Sequence, residues 1–167
     1  MKKRVSLLVA VLLALLAADS LAQPPQPRDS TPCEKVDPRD VQVPADFSIQ
    51  YSPGPAHASW ATTTWQVNAG EEFIVSEQRQ GQPWGAPPVV VRQSLLGQEA
   101  VKRPYAQVLG CRFFEMAASY WNRRVVDGGT QRLAVTANGK QHQVTVHHYQ
   151  VTRFNALVAA LKREGGE

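Results

Sequence analysis

Two runs of alternating apolar and polar residues flank the dipeptide Asn138-Gly139 in the C-terminal part of the chain. Asn-Gly is a strong signal for a two-residue β-turn, because both residues tolerate a positive φ angle. With this dipeptide as the loop, four apolar side chains share one face, as a core-facing hairpin requires. These four are Leu133, Val135, Val144 and Val146. The pattern predicts a β-hairpin over residues 131–149.

Four shorter segments upstream have the composition of strands. Residues 47–51 alternate apolar and polar side chains and end at a Pro-Gly-Pro run. Residues 60–67 and 73–78 flank an Asn-Ala-Gly turn. Val89-Val90-Val91 is apolar throughout, so we expect it to be a covered strand.

Large side chains recur at helical spacing between residues 103 and 120, and Pro104 favours a helix start near Arg103. Gly110 lies inside this stripe. It is either an interior glycine, which costs about 1 kcal/mol, or the cap of a first helix that a short second helix follows. We favour the cap. The stripe comprises Tyr105, Leu109, Phe113, Met116 and Tyr120.

A final helix is indicated by an apolar stripe that follows Thr152, the expected N-cap, and precedes Gly165-Gly166. The order of elements is therefore strands, a helix, the hairpin around Asn138-Gly139 and a helix. This order predicts an α+β fold with a mostly antiparallel sheet and with helices packed on one face. The stripe of the final helix comprises Phe154, Leu157, Val158 and Leu161.

The expected domain organisation has three parts. Residues 1–22 combine a basic start, an apolar run and small residues before Ala22, which is typical of a signal peptide cleaved after Ala22. The apolar run is short for a membrane span, which needs about 20 residues, so an uncleaved anchor is the weaker alternative. Residues 23–43 begin with a proline-rich stretch and are expected to be a flexible spacer. Residues 44–167 form the single α+β domain.

The composition agrees with an exported globular domain. Of the 167 residues, 43% are hydrophobic and 19% are charged, which is enough apolar material for a core. The formal charge of +4 falls to +2 without residues 1–22. Because duplex binders concentrate basic residues on one face, we expect no nucleic-acid partner. The expected location is the periplasm or the secreted fraction, with no membrane span left after cleavage.

Cys33 and Cys111 are the two cysteines, and an oxidising compartment preserves disulfides. A bond between them closes a loop of about 80 residues, for which chain entropy gives at most roughly 4–5 kcal/mol. Two unpaired buried cysteines are the alternative.

The residues of this chain match no motif of nucleophilic, metal or phosphate chemistry, and we expect no cofactor and no metal. On an extended strand His142 and His148 would share a face about 20 Å apart, while His147 would point away. An envelope hydrolase or metal-handling protein is the alternative function, with a site assembled from distant residues. The available side chains are His57, His142, His148 and Asp127.

Basic and aromatic residues are interleaved between residues 102 and 132, a mixture that is enriched at protein interfaces. We predict an interaction surface there, for a protein or an anionic envelope component. A solvated helix face is the alternative interpretation. The surface comprises Arg112, Tyr120, Trp121, Arg123 and Arg124, with loop residue Trp84 as a second contact point.

The chain resembles small exported bacterial α+β domains of unknown function between Phe47 and Leu161. The resemblance implies the α+β fold and supports Gly110 as a helix cap, and it implies no catalytic residue. Together with the missing catalytic motifs, it leads us to expect an exported binding module. The patterns that carry it are Asp46-Phe47-Ser48-Ile49-Gln50-Tyr51-x-x-Gly54, Gly110-x-x-Phe113-Phe114-Glu115-Met116 with Tyr120, Asp127-Gly128-Gly129, Asn138-Gly139-Lys140-Gln141-His142-Gln143-Val144-x-Val146 and Phe154-x-x-Leu157-Val158.

Overall fold

The computed structural model describes residues 29–54, 62–83, 86–122, 125 and 129–166. Seven strands form one open sheet in the order β4-β3-β2-β1-β6-β7-β5. Neighbouring strands are antiparallel except β5 and β7, which are parallel. The strands are β1 (Ser48–Pro53), β2 (Thr62–Asn68), β3 (Glu72–Gln78), β4 (Val89–Leu95), β5 (Ser119–Trp121), β6 (Thr130–Ala137) and β7 (Lys140–His147).

Two helices, α1 (Gln98–Gly110) and α2 (Thr152–Glu164), pack on one face of this sheet. Alternate residues of the central strands point toward them and are fully buried, because a sheet with one apolar face needs a covering layer. The predicted α+β class is confirmed. The largest fully buried side chains include Phe47, Phe73, Phe113, Phe154, Ile49, Leu133, Leu157 and Leu161.

The C-terminal hairpin has the predicted register. Leu133 lies opposite Val144 and Val135 opposite His142, with Asn138-Gly139 as the turn. Asn138 and Gly139 have φ angles of 53° and 70°, as the two-residue turn demands. The Asp46 carboxylate accepts hydrogen bonds of 2.8 and 2.6 Å from their backbone N–H groups. The turn is thus held from outside the hairpin, by a residue that precedes β1.

Strand β4 corrects one expectation. The segment around Val89 was expected to be covered, but β4 lies at the edge of the sheet. Val90 and Leu95 are 55% and 81% exposed. The β3–β4 pairing contains an irregularity at Val75/Ser76, and such bulges are a common way of blunting sheet edges. An apolar run alone cannot distinguish an edge from a buried strand.

Helix α1 starts earlier than predicted. It begins at Gln98 rather than near Arg103, and Pro104 lies buried within it. It ends at Gly110, and the short 3₁₀ turn Phe113–Glu115 follows. The helix therefore ends where the favoured interpretation placed its end, but Gly110 is its last residue and Cys111, not Gly110, is the cap.

The apolar stripe drawn through residues 105–120 does not belong to one helix. Arg112 has a φ of 50° and redirects the chain after α1. Leu109 is 42% exposed, and Tyr120 lies in β5. Helix α2 agrees better with its prediction, although Thr152 is its first residue and Val151 is the cap.

Part of the expected spacer lies against the domain. We call residues 29–43 the N-terminal strap. Cys33 and Cys111 form a disulfide, and Glu34 N donates a hydrogen bond of 2.9 Å to the Gly110 carbonyl. Val41 and Val43 pack on the core. Composition did not reveal this, because the strap is held mainly by covalent and polar contacts to distant residues. Residues 1–28 lie outside the described part.

In the described part of the chain, neither helix has the length and apolar character needed to cross a membrane.

Candidate functional site

The sheet has a second face, which points away from α1 and α2; we call it the open face. Strand alternation places on it the residues that lie between the buried ones. Gln50, Gln93, Arg132 and Gln143 are exposed there. The open face is therefore the broad surface that the helices leave accessible.

A row of amide side chains crosses the open face. The strand registers place Gln143 opposite Ala134, Ala134 opposite Gln50, and Gln50 opposite Gln66. The row continues through Ile74 to Gln93 on β4. Directly opposed residues project to the same face. The row therefore carries four glutamines, which offer both hydrogen-bond donors and acceptors and no charge. Its members are Gln143, Ala134, Gln50, Gln66, Ile74 and Gln93.

Trp121 and His147 form a stacked pair at the β5 end of the open face. The parallel register of β5 and β7 places them side by side. Their ring centroids are 4.0 Å apart and the planes differ by 16°. The indole covers the imidazole, since Trp121 is 47% exposed and His147 is 5% exposed. The stack holds a large aromatic surface in one orientation.

Within the described part of the chain, the imidazole of His147 has one polar contact at Nδ1 and none at Nε2. Its Nδ1 lies 3.5 Å from Oγ1 of Thr130. Its Nε2 is buried and has no hydrogen-bond partner among the described residues. Buried polar atoms in folded proteins are almost always paired. A buried imidazole nitrogen with no partner among the described residues is therefore an unusual feature of this stack.

The predicted interaction surface does not form as one piece from its described members. Tyr120 and Trp121 are neighbours on β5 and therefore point to opposite faces. Tyr120 is 3% exposed and lies in the core, so it is not part of the predicted interaction surface. Arg112 follows α1 and lies 3.5 Å from Glu115 in an exposed ion pair. Arg123, Arg124 and Trp84 lie outside the described residues.

The two described histidines of the alternative metal or hydrolase site, His142 and His148, are not brought together. His142 lies half-buried against Phe113, with Nε2 2.9 Å from the Met116 carbonyl oxygen. His148 lies just past the opposite end of β7 and is exposed. His57 and Asp127 lie outside the described residues. Within the described ranges no group of three or more His, Cys, Asp or Glu side chains is placed to hold a metal ion.

The orientation expected for His148 is wrong. Strand β7 ends at His147, and His148 has a φ of 45°, so strand alternation no longer applies. The ring of His148 contacts His147 instead, with centroids 5.3 Å apart. His147 does point away from the helices as expected. Its burial under Trp121 was not foreseen, because the pairing of β5 with β7 is not visible in the local sequence.

A buried ionic cluster joins the strap to the domain. The Asp29 carboxylate accepts hydrogen bonds from Arg153 Nε at 2.9 Å and from Tyr120 Oη at 3.1 Å. Arg153 also donates to the Cys111 carbonyl at 3.2 Å. Burial alone raises the pKa of Asp29, but the bonds from Arg153 and Tyr120 outweigh it and keep the pKa below its usual value. Burial raises the pKa of the Tyr120 phenol, which keeps its proton. The cluster fastens the strap and faces the interior.

The molecule is an α+β protein with an open, mostly antiparallel seven-stranded sheet, and its most distinctive surface is the open face with the Trp121–His147 stack. No model of a known protein family matches the chain, and no curated protein matches it.

Proposed function

We propose that the protein is an exported binding module of the cell envelope or the secreted fraction, and that it contacts its partner through the open face around Trp121. The observation that carries this proposal is the stacking of a half-exposed indole on a buried imidazole. Tryptophan is enriched at the energetic centres of binding surfaces, because it offers a large contact area with few rotatable bonds. Here the stack further restricts the indole before any partner arrives.

Export is supported by three features. Residues 1–22 have the order of segments typical of a cleaved signal peptide. The Cys33–Cys111 disulfide is compatible with an oxidising location outside the cell. The patterns between Phe47 and Leu161 resemble small exported bacterial domains. Cleavage after Ala22 would leave Asp29 and the whole strap on the mature chain.

The start of the mature chain tests the export part. We expect N-terminal sequencing of the protein, recovered from the periplasm or medium of a bacterial expression host, to begin at Gln23. A chain that keeps Met1 and remains inside the cell would contradict export.

A nuclear magnetic resonance titration tests the binding part. The chain has four tryptophans, so its ¹⁵N-labelled form gives four indole signals, and Trp121→Phe identifies one of them. Fractions of an envelope extract are added to the protein. We expect one fraction to shift the Trp121 signal and the amides of β6 and β7.

The matched control is Leu109→Ala. Leu109 is exposed to a similar extent as Trp121 but lies on α1, away from the open face. Binding should be lost with Trp121→Ala and kept with Leu109→Ala. Shifts confined to residues of α1 or α2 would place the binding surface elsewhere and refute the proposed site.

A further inference from the structure

We propose that Asn138 is a site of spontaneous deamidation, and that the carboxylate of Asp46 suppresses this reaction in the folded protein. The modification converts the side-chain amide of Asn138 into a carboxylic acid and consumes one molecule of water. The proposal concerns the tip of the C-terminal hairpin. It goes beyond the proposed function, since it needs neither the open face nor Trp121.

The dipeptide at the hairpin tip contains both groups that the reaction requires. Asn138 is the one asparagine of the chain that precedes a glycine, and asparagine is a chemically labile residue. Glycine favours the reaction at the preceding asparagine, because it has no side chain to crowd its backbone nitrogen. The turn signal that fixes the hairpin register is therefore also the most reactive asparagine of the sequence.

The reaction proceeds in two steps that balance without any oxidant or reductant. The backbone nitrogen of Gly139 loses its proton and attacks Cγ of Asn138. A bond forms between these two atoms, the bond from Cγ to Nδ2 breaks, and Nδ2 leaves as ammonia with the proton. Water then opens the resulting cyclic imide and gives aspartate or isoaspartate at position 138.

The described surroundings of the turn do not block this reaction sterically. Asn138 and Gly139 are both exposed, so water reaches the site. A Cβ atom built at Gly139 would have no described heavy atom of a neighbouring residue within 4 Å. The restraints on the reaction in the folded protein are therefore the charge and the conformation of the turn.

The first restraint is the charge of Asp46. Its carboxylate accepts hydrogen bonds of 2.6 Å from Gly139 N and of 2.8 Å from Asn138 N. These bonds lower the pKa of Asp46, so the carboxylate is ionised at neutral pH. The attack requires negative charge on the Gly139 nitrogen, and a carboxylate at hydrogen-bond distance disfavours a second negative charge. Asp46 therefore opposes the formation of the nucleophile.

The second restraint is the fixed conformation of the turn. Closing the imide ring requires the side chain of Asn138 and its peptide bond to Gly139 to rotate toward each other. Asp46 holds this peptide group, and the strand pair Ala137–Lys140 flanks it. The side-chain amide of Asn138 also donates to the hydroxyl group of Tyr105, at 3.4 Å. The reaction therefore proceeds mainly from molecules in which the turn has opened locally.

The products of the reaction would loosen the turn. An aspartate at position 138 adds a negative charge near Asp46, and like charges repel. Isoaspartate adds a methylene group to the backbone, which a two-residue turn of fixed geometry does not accommodate. Deamidation therefore changes a turn that Asp46 holds into one that it holds poorly.

Peptide mass mapping of the full mature chain, aged at mildly alkaline pH, tests the proposal. We expect Asn138 to be modified about tenfold faster in Asp46→Ala than in the wild type, because the hydrogen bonds to the carboxylate are lost. Asp46→Asn keeps an acceptor oxygen but no charge, and its rate should lie between the two. Hydrogen exchange at the Gly139 amide should accelerate in parallel, since both processes need this N–H group to leave Asp46. The wild type unfolded in urea should react fastest.

The matched control is Gly110→Ala, whose added methyl group meets the Glu34 carbonyl oxygen in the strap and leaves the turn unchanged. It should deamidate at Asn138 at the wild-type rate. If it reacts as fast as Asp46→Ala, overall stability protects the turn and the role of Asp46 is wrong. If Asp46→Ala and Asp46→Asn react no faster than the wild type, the suppression is also wrong. An Asn138 that stays unmodified in urea would overturn the site itself.

Discussion

The carboxylate of Asp29 accepts a hydrogen bond of 2.9 Å from Arg153, although the two residues are 124 positions apart in the chain. Their side chains are 6% and 14% exposed. The hydroxyl group of Tyr120, on β5, donates a further hydrogen bond to the Asp29 carboxylate, at 3.1 Å. The strap, strand β5 and α2 therefore meet at one buried charge pair. Because the pair contacts all three elements, its loss should affect each of them.

We predict that Asp29→Asn destabilises the protein. The substitution leaves Arg153 buried without its anionic partner, and breaking a buried ion pair in this way costs about 3 kcal/mol. Urea denaturation of the mature chain measures the effect. Asp40→Asn, which changes an exposed carboxylate in the same strap, is the matched control and should change stability by less than about 0.5 kcal/mol. Equal stabilities of the two variants would show that the pair contributes little.

We predict that stability falls in acid, and that Asp29 and Asp46 cause part of the fall. Hydrogen bonds from the Gly139 and Asn138 backbone lower the pKa of Asp46, and the contacts of Asp29 lower its pKa below 3.8. The unfolded chain therefore binds protons at a higher pH than the folded chain. Stability is fully present above about pH 5 and is lost as the pH falls through 3.8 toward the folded pKa values.

Denaturation curves between pH 7 and pH 2 measure this dependence. Asp29→Asn should reduce the slope below pH 4, because one of the titrating groups is gone. An identical slope in this variant and in the wild type would mean that Asp29 is not among the groups that cause the loss.

We predict that the disulfide contributes substantially to stability. Cys33 and Cys111 are 78 positions apart, and closing a loop of this size gives up to about 4–5 kcal/mol in the chain-entropy description. Comparison of the oxidised protein with Cys33→Ser/Cys111→Ser in urea measures the difference. A thiol assay on the denatured, unreduced protein should detect no free thiol. Two reactive thiols would contradict the bond.

We predict that Gly110→Ala destabilises the protein, although alanine is the better helix former by about 1 kcal/mol. A methyl group at Gly110 would run into the carbonyl oxygen of Glu34 in the strap. It would also push away the Glu34 N–H group, which bonds to the Gly110 carbonyl at 2.9 Å. Hydrogen exchange at the Glu34 amide should become faster. A Gly110→Ala variant that is more stable than the wild type would mean that the strap moves aside without a loss of stability. Leu109→Ala, one position earlier on the exposed side of α1, is the control.

We predict that Asp46→Ala loosens the hairpin turn without changing its register. The carboxylate accepts from the N–H groups of Asn138 and Gly139, whereas the register depends on the apolar residues of β6 and β7. Amide exchange at these two positions should accelerate, while Val135 and Val144 stay protected. Asp46→Asn keeps one acceptor oxygen and should have a smaller effect. Loss of protection throughout β6 would show that the turn contact also maintains the strands.

The hairpin was predictable because its signals are local. A turn dipeptide and a period of two residues leave one register that buries Leu133 and Val144 together, and the structure has that register. The same is true of the apolar stripe of α2, where Phe154, Leu157 and Leu161 are all buried. The bounds of helix α1 were harder to predict, because apolar residues continue at helical spacing beyond Gly110, where the chain changes direction.

The candidate site was only partly visible in the sequence. Trp121 was selected for its aromatic surface, but its neighbour Tyr120 was assigned to the same surface because β5 was not recognised as a strand. His147 was considered only as a metal ligand. Its position under Trp121 depends on the parallel pairing of β5 with β7, which joins residues 26 positions apart without a turn between them. No periodic pattern of apolar residues in the local sequence indicates such a contact.

Alternation, turn chemistry and helical spacing act over a few residues, so the linear order of amino acids was sufficient for the α+β class, the Asn138-Gly139 turn and the hairpin register. Contacts between distant segments depend instead on which apolar faces pack together in three dimensions. Only that packing put β4 at the sheet edge, Asp29 beside Arg153 and Trp121 over His147. Many alternative pairings of such distant residues have the same local free energy. The packing of the shared core determines which of these pairings forms.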